Sequence, residues 1–157
     1  MLSGRSNGRR SGVIVCGVDD SLVAGEALRT AGRLGERLEL RVVAAHAVAP
    51  EPVRTRPWGP LAAAGGDELA AGEALLEQAC VDAGLGDVER HVLSGRPAER
   101  LAELADEQGA ELIVVGSRGH RLLQAAFMGG VASELIGLAP CPVLVVPALA
   151  VDWDTAA

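Results

Sequence analysis

Two glycine clusters in the second half of the chain have a spacing that suits anion binding. Two residues separate Gly116 from Gly119, and nine residues separate Gly119 from the pair Gly129-Gly130. Because glycine lacks a Cβ, its backbone N–H can come close to an anion, and a helix that starts at a glycine pair adds unpaired N–H donors. The two clusters could therefore hold the two ends of a polyphosphate. Tight turns between strands and helices would explain the same glycines, and the spacing alone leaves both explanations open.

The chain carries 14 arginines, which are its only side chains with a permanent positive charge. Arg118, His120 and Arg121 lie between the glycine clusters and would supply cationic donors there, whereas the sequence contains no lysine. The absence of lysine excludes a Schiff base, pyridoxal phosphate attachment and the phosphate-binding lysine of Walker-type loops. A phosphate site in this protein must therefore use backbone N–H groups and arginine.

A polar triplet, Asp19-Asp20-Ser21, follows the first apolar run of the chain. Asp20 and Ser21 are best interpreted as caps of a following helix, since short oxygen-bearing side chains accept from the free N–H groups of a first helical turn. Asp19 is interpreted as the last residue of the strand, where its carboxylate could accept hydrogen bonds from a ribose hydroxyl or an adenine amine. The sequence therefore predicts a ligand contact at Asp19 and capping by one of its two neighbours.

Apolar runs and segments of helical spacing alternate along the chain. Strands are predicted at 12–18, 40–48, 88–93, 112–115 and 142–146, and helices at 24–38, 67–83, 97–109 and 130–138. Segment 49–66, which carries four prolines, is predicted as a loop. The alternation predicts an α/β fold in which a five-stranded, doubly wound parallel sheet is flanked by helices in a Rossmann-like arrangement. In such sheets a ligand lies beyond the carboxyl ends of the strands, where the winding direction reverses.

Length and composition limit the class of protein. The 157 residues suit one domain, predicted at 12–147 between a disordered lead-in (1–11) and a tail (148–157). A formal net charge of −7 and 2% aromatic residues disfavour a general nucleic-acid binder. No apolar stretch approaches the roughly 18 residues of a membrane span, and the run after Arg9-Arg10 is too short for an export signal. The expected location is the cytoplasm, with neither nucleic acid nor membrane as a partner.

The cysteines and histidines show no metal-binding pattern. Cys16, Cys80 and Cys141 are far apart and form no C-x-x-C pair, so they are predicted to be buried and inert. The three histidines are scattered and favour structural roles. The sequence therefore predicts no metal site, and it identifies no catalytic base.

In their order along the chain, these motifs resemble those of the universal stress protein family over residues 13–146. The glycine spacing that begins at Gly116 is similar to the family's ATP-binding signature G-2x-G-9x-G-(S/T). The other matching segments are Val18-Asp19-Asp20-Ser21, His46 at the end of the second strand, Gly95-Arg96-Pro97, ELIVVGS at 111–117 and APCPVLVV at 139–146. Each match is weak alone, whereas their order in one chain is specific.

The apolar character of the C-terminal strand, residues 143–146, predicts an edge that a second copy of the chain covers. The resemblance implies a small stress-response protein that forms a homodimer. It also implies that ATP or another adenine nucleotide, with Mg²⁺ as an optional companion, is held between the first and fourth strands. By position, Asp19 matches the family's adenosine-contacting aspartate, and Ala47 matches the small apolar residue against adenine. The nucleotide-binding residues implied in the loop and at the following helix start are Gly116, Arg118, Gly119, Gly129, Gly130 and Val131.

One position departs from the signature, because Gly130 stands where the family has Ser or Thr. The lost hydroxyl would have bonded a phosphate oxygen, and such a hydrogen bond contributes roughly 1.5–3 kcal/mol, or about a tenfold to hundredfold change in affinity. Two functions stay open. One is an ATP-binding regulatory module whose hydrolysis is at most slow, since no catalytic base is identifiable. The other is a nucleotide-free dimeric interaction protein on the same fold.

Overall fold

A computed structural model describes residues 12–48, 66–117 and 130–147 of the chain. The predicted lead-in, the predicted tail, nearly all of the proline-rich loop and most of the segment between the glycine clusters lie outside the described residues. The domain boundaries predicted at either end therefore stay predictions.

Strands and helices alternate throughout the described residues. In chain order they are β1 (Val13–Gly17), α1 (Leu22–Leu38), β2 (Arg41–Val48), α2 (Gly66–Asp82), β3 (Glu89–Ser94), α3 (Pro97–Gln108), β4 (Ala110–Gly116), α4 (Gly130–Leu138) and β5 (Val143–Val146). The five strands are parallel and lie in the order β3-β2-β1-β4-β5. The chain thus winds outward from β1 in both directions, which confirms the predicted five-stranded parallel α/β fold.

Residues at the helix ends explain where α1 starts and where α3 starts and ends. Ser21 caps α1, because its hydroxyl oxygen accepts the N–H of Ala24 at 3.3 Å. Pro97 opens α3, where its missing N–H costs no helical hydrogen bond. Gly109 ends α3 with a φ of 59°, a left-handed conformation that glycine adopts without steric cost.

Alternate residues of the central strands face opposite sides of the sheet, and each side is covered by two helices. Val15 belongs to the core beneath α3 and α4, together with Leu101 and Leu135. Its neighbour Ile14 belongs to the core beneath α1 and α2, together with Leu28. Both clusters are aliphatic apart from two cysteines, and no polar or charged side chain among the described residues is buried. Burial on both faces explains why the strands appear in the sequence as continuous apolar runs.

The observed element boundaries differ from the predicted ones by one or two residues. The largest shifts are of two residues: β4 starts at Ala110 and not at residue 112, and α1 starts at Leu22 and not at residue 24. Such shifts are expected, because the sequence pattern marks buried positions and the backbone pairing extends past them.

The end of β1 corrects the prediction for Asp19. The strand ends at Gly17, so Asp19 lies two residues beyond it and not at its last position. The Asp19 carboxylate accepts the N–H of Ser21 at 2.9 Å, which turns the chain out of the sheet and into α1. Asp19 therefore belongs to the connection between β1 and α1.

Candidate functional site

A cleft of about 380 Å³ lies at the carboxyl ends of β1, β2 and β4. The order of the strands places it where the winding direction reverses, since β1 leads to β2 on one side and pairs with β4 on the other. The first residues of α1, α3 and α4 form its rim, among them Ala24, Pro97 and Gly130. A helix start carries unpaired N–H groups and a partial positive charge, so the rim favours an anionic group.

Five of the eight residues predicted as nucleotide-binding line this one cleft. They are Asp19, Ala47, Gly116, Gly130 and Val131. The other three, Arg118, Gly119 and Gly129, lie outside the described residues, as do His120 and Arg121. The fold thus brings together residues that are separated by more than 100 positions in the chain, although the role of each one stays a prediction.

Asp19 presents a carboxylate at the cleft wall in an orientation fixed by its neighbour. Oδ1 accepts hydrogen bonds from both the backbone N–H and the hydroxyl of Ser21. The same Ser21 side chain caps α1. The capping predicted for Asp20 or Ser21 is therefore observed at Ser21, and this residue also orients the carboxylate that the sequence assigned to ligand contact.

Two glycines of the cleft allow close packing of the surrounding elements. A Cβ on Gly116 would lie 2.7 Å from Cγ1 of Val23, and a Cβ on Gly17 would lie 2.8 Å from Cδ1 of Leu101. Both distances are shorter than atoms in contact allow. At Gly116 the structural explanation of the glycine therefore holds, whether or not a ligand binds there.

Gly130 differs from these two glycines. No described atom lies within 4 Å of the position that its Cβ would take, and the residue is exposed at the start of α4. Packing among the described residues therefore gives no reason for glycine at this position. A serine would fit there, which makes the missing hydroxyl testable by substitution.

His46 is a cleft residue to which the sequence assigned no ligand. Its Nδ1 lies 2.7 Å from the carbonyl oxygen of Val18. Because a carbonyl can only accept, Nδ1 carries the proton and donates it. His46 thus fastens the end of β2 to the segment that follows β1, which is a structural contact of the kind predicted for the histidines.

Sequence reasoning missed the charged pair at the rim of the cleft. Glu134 lines the cleft, and its Oε2 accepts from Nη2 of Arg96 at 3.2 Å. Nη1 of Arg96 donates to Oε1 of Glu99 at 2.9 Å. The sequence contained one signal for Glu134, because this residue lies four positions after Gly130 and is therefore on the same face of α4.

The thiols of the described residues are poor candidates for chemistry. Burial raises the pKa of Cys16, Cys80 and Cys141, which keeps them protonated and weakly nucleophilic. Cys16 and Cys80 are buried, while Cys141 is only partly so.

In the part of the chain that the structure describes, no group of three His, Cys, Asp or Glu side chains could hold a metal ion. No helix within these same ranges is long and apolar enough to cross a membrane.

Comparison with known sequences gives one consistent family. The model of the universal stress protein family matches residues 11–147. A universal stress protein of Mycobacterium tuberculosis is 30% identical over 149 residues, which cover 90% of this chain and 49% of that protein. A universal stress protein of Thermus aquaticus is 42% identical over 55 residues, or 35% of this chain and 40% of that protein. The chain thus spans less than half the length of these curated relatives.

Comparison with solved structures gives the same fold. A universal stress protein of Archaeoglobus fulgidus in complex with dAMP superposes with a TM-score of 0.65 at 25% identity, covering 86% of this chain and 97% of that one. A universal stress protein in complex with cAMP superposes with a TM-score of 0.66, again at 25% identity, covering 86% and 96% of the two chains. Both of those proteins bind an adenine nucleotide.

Proposed function

Because the chain belongs to the universal stress protein family, we propose that it binds an adenine nucleotide, ATP included, in the cleft at the carboxyl ends of β1, β2 and β4. The observation that carries this proposal is the meeting of Asp19, Ala47, Gly116, Gly130 and Val131 in one cleft. The volume of about 380 Å³ lies in the range of about 300–1,000 Å³ that is usual for small-molecule sites. The relatives in complex with dAMP and cAMP support the choice of adenine.

The cleft suits the parts of a nucleotide. Small aliphatic side chains line much of it, so an adenine ring would lie against Ala47 and its neighbours. The Asp19 carboxylate is an acceptor for ribose hydroxyls or the adenine amine. The N–H groups at the start of α4, from Gly130 and Val131, are donors for phosphate oxygens. A Mg²⁺ ion, if it accompanies ATP, would be held through the phosphates.

The proposal is tested by measuring ATP binding to the full chain and to a Gly130→Ser variant. The serine hydroxyl would restore one hydrogen bond to phosphate, so calorimetric titration is expected to show about tenfold tighter binding. Gly137→Ser is the matched control, because a Cβ at Gly137 also meets nothing within 4 Å and the residue lies on the same helix outside the cleft. If neither the natural chain nor Gly130→Ser binds ATP at millimolar concentration, the proposal is wrong.

We propose a regulatory role in the stress response, not a catalytic one, for this nucleotide site. The sequence identifies no base that could activate water, so ATP hydrolysis is expected to be slow. Fast steady turnover by purified protein, lost on Asp19→Ala, would contradict this role. The cytoplasmic location predicted from the sequence also stays a prediction.

A dimeric interaction protein that needs no nucleotide is the second candidate. Its support is β5, an edge strand made of three valines and a leucine that are only partly buried. An apolar edge strand exposes unpaired backbone groups that a second copy of the chain could cover. Sedimentation of nucleotide-free protein is expected to give the mass of a dimer. The monomer mass at every concentration tested would rule this candidate out.

A further inference from the structure

Arg96 holds two carboxylates at the rim of the cleft. The residue immediately precedes α3, and its guanidinium bonds Glu99 through Nη1 at 2.9 Å and Glu134 through Nη2 at 3.2 Å. Glu134 belongs to the cleft wall, whereas Glu99 lies in the first turn of α3. Among the described arginines, Arg96 is the one with an ion pair to a residue of the cleft wall.

The position of Glu134 creates an electrostatic conflict with the proposed ligand. Glu134 lies one helical turn after Gly130, whose N–H is proposed to hold phosphate, and both residues line the cleft. Asp19 is the other carboxylate of the wall, and no arginine side chain among the described residues lines the cleft itself. Without a cation between them, Glu134 and a phosphate would repel each other. Arg96, which does not itself line the cleft, is the described arginine in contact with Glu134.

The bond between Arg96 and Glu134 is weak enough to be exchanged. The side chain of Arg96 is 66% exposed and that of Glu134 is 45% exposed, and ion pairs so open to water contribute at most about 1 kcal/mol. A phosphate is a stronger partner, because its oxygens match the guanidinium fork and carry more charge. Exchange of Glu134 for such a ligand would free Nη2 and leave the bond from Nη1 to Glu99 in place.

We propose that Arg96 determines the specificity of the cleft for phosphorylated ligands, by giving up Glu134 and binding the phosphate of a nucleoside monophosphate through the freed N–H groups. This proposal rests on the proposed function, since it concerns the same cleft. It assigns a phosphate contact to a residue outside the glycine loop. It also makes Glu134 a competitor of the ligand for the same guanidinium.

The test compares adenosine with AMP, because the two ligands differ only in the phosphate. Calorimetric titration of the full chain gives the ratio of the two dissociation constants. Arg96→Gln is expected to weaken AMP binding about tenfold and to leave adenosine binding unchanged. Glu134→Gln removes the competitor and is expected to tighten AMP binding severalfold relative to adenosine binding, which is measured alongside because Glu134 lines the cleft.

Arg100→Gln is the matched control for the arginine substitution. Arg100 lies on α3, the helix that Arg96 precedes, and pairs with Glu103, and neither Arg100 nor Glu103 lines the cleft. This variant is expected to keep the ratio of the AMP and adenosine dissociation constants of the natural chain. The melting temperature of each variant, measured alongside, separates loss of fold from loss of contact.

Three results overturn the proposal. If Arg96→Gln weakens adenosine and AMP equally, the pair with Glu134 only joins α3 to α4. If Glu134→Gln leaves AMP binding unchanged or weakens it, no exchange takes place. If the natural chain binds none of ATP, AMP and adenosine measurably, the proposed function is wrong and this inference fails with it. The first two results, in contrast, leave the nucleotide site in place.

Discussion

Gly116 and Gly130 have the same residue type and different surroundings. At Gly116 an added methyl would meet Val23, whose β-branched side chain has little freedom to move, while at Gly130 it would meet nothing. From the sequence, both glycines belong to one signature and the two explanations were open for each. Only the packing of α1 against the end of β4 separates them, because that contact joins residues far apart in the chain.

Gly116→Ala is expected to lower the free energy of unfolding by about 1–3 kcal/mol, because the methyl overpacks the contact with Val23. Gly137→Ala, in open space on α4, is expected to raise it by about 0.5–1 kcal/mol through helix propensity. Urea unfolding followed by circular dichroism measures both. Equal stability of the two variants would show that the contact at Gly116 is not tight.

The helix α2 buries only three of its 17 residues. Its buried residues are Gly72, Leu76 and Cys80, of which Leu76 is the largest side chain and is fully buried. The helix also packs beside β3, the edge strand on its side of the sheet. Leu76 is therefore the largest fully buried side chain that anchors α2 to the sheet, while Leu75 and Ala79 pack against the same core from partly exposed positions.

Leu76→Ala is expected to lower the free energy of unfolding by about 2–5 kcal/mol, since it leaves a cavity between α2 and the sheet. The control is Val81→Ala on the same helix, where the side chain is 56% exposed and a change within about 0.5 kcal/mol is expected. Hydrogen exchange of the α2 amides, together with urea unfolding, locates the effect. A cost at Leu76 no larger than that at Val81 would contradict the importance of this anchor.

Most of the elements could be predicted from the sequence, and the charged pairs between them could not. A strand buried on both faces, such as β1, gives a continuous apolar run, and α3 gives a helical stripe with Pro97 at its start. Arg96 and Glu134 are 38 residues apart and meet only because α3 packs against α4. No local pattern carries such a contact.

For the molecule as a whole, one charged cluster joins three elements at the end of the sheet opposite the cleft. Glu89 at the start of β3 bonds Arg41 at 2.8 Å and His91 at 2.6 Å, and Arg41 also bonds Gln108 at the end of α3 at 2.7 Å. The hydrogen bond from His91, with help from Arg41, holds the pKa of Glu89 below its usual value. The folded state therefore favours the ionised carboxylate.

Because the pKa of Glu89 is lower in the folded state, its ionised carboxylate adds to the free energy of unfolding. This contribution is fully present above the unfolded-state pKa of about 4.3 and is lost as the pH falls through the folded-state pKa. The groups are partly exposed, so this contribution is at most about 1 kcal/mol. Glu89→Gln is expected to be less stable than the natural chain near neutral pH and equally stable in acid. A stability difference that does not change with pH would rule out ionisation as its cause.

The aliphatic cores have a consequence for spectroscopy. No tryptophan, tyrosine or phenylalanine lies among the described residues, and the two tryptophans of the chain, Trp58 and Trp153, lie outside them. The sheet and its helices are therefore nearly transparent in the near ultraviolet. An adenine bound in the cleft would stand out in the absorption spectrum of the purified protein, and tryptophan fluorescence would come from Trp58 and Trp153 alone.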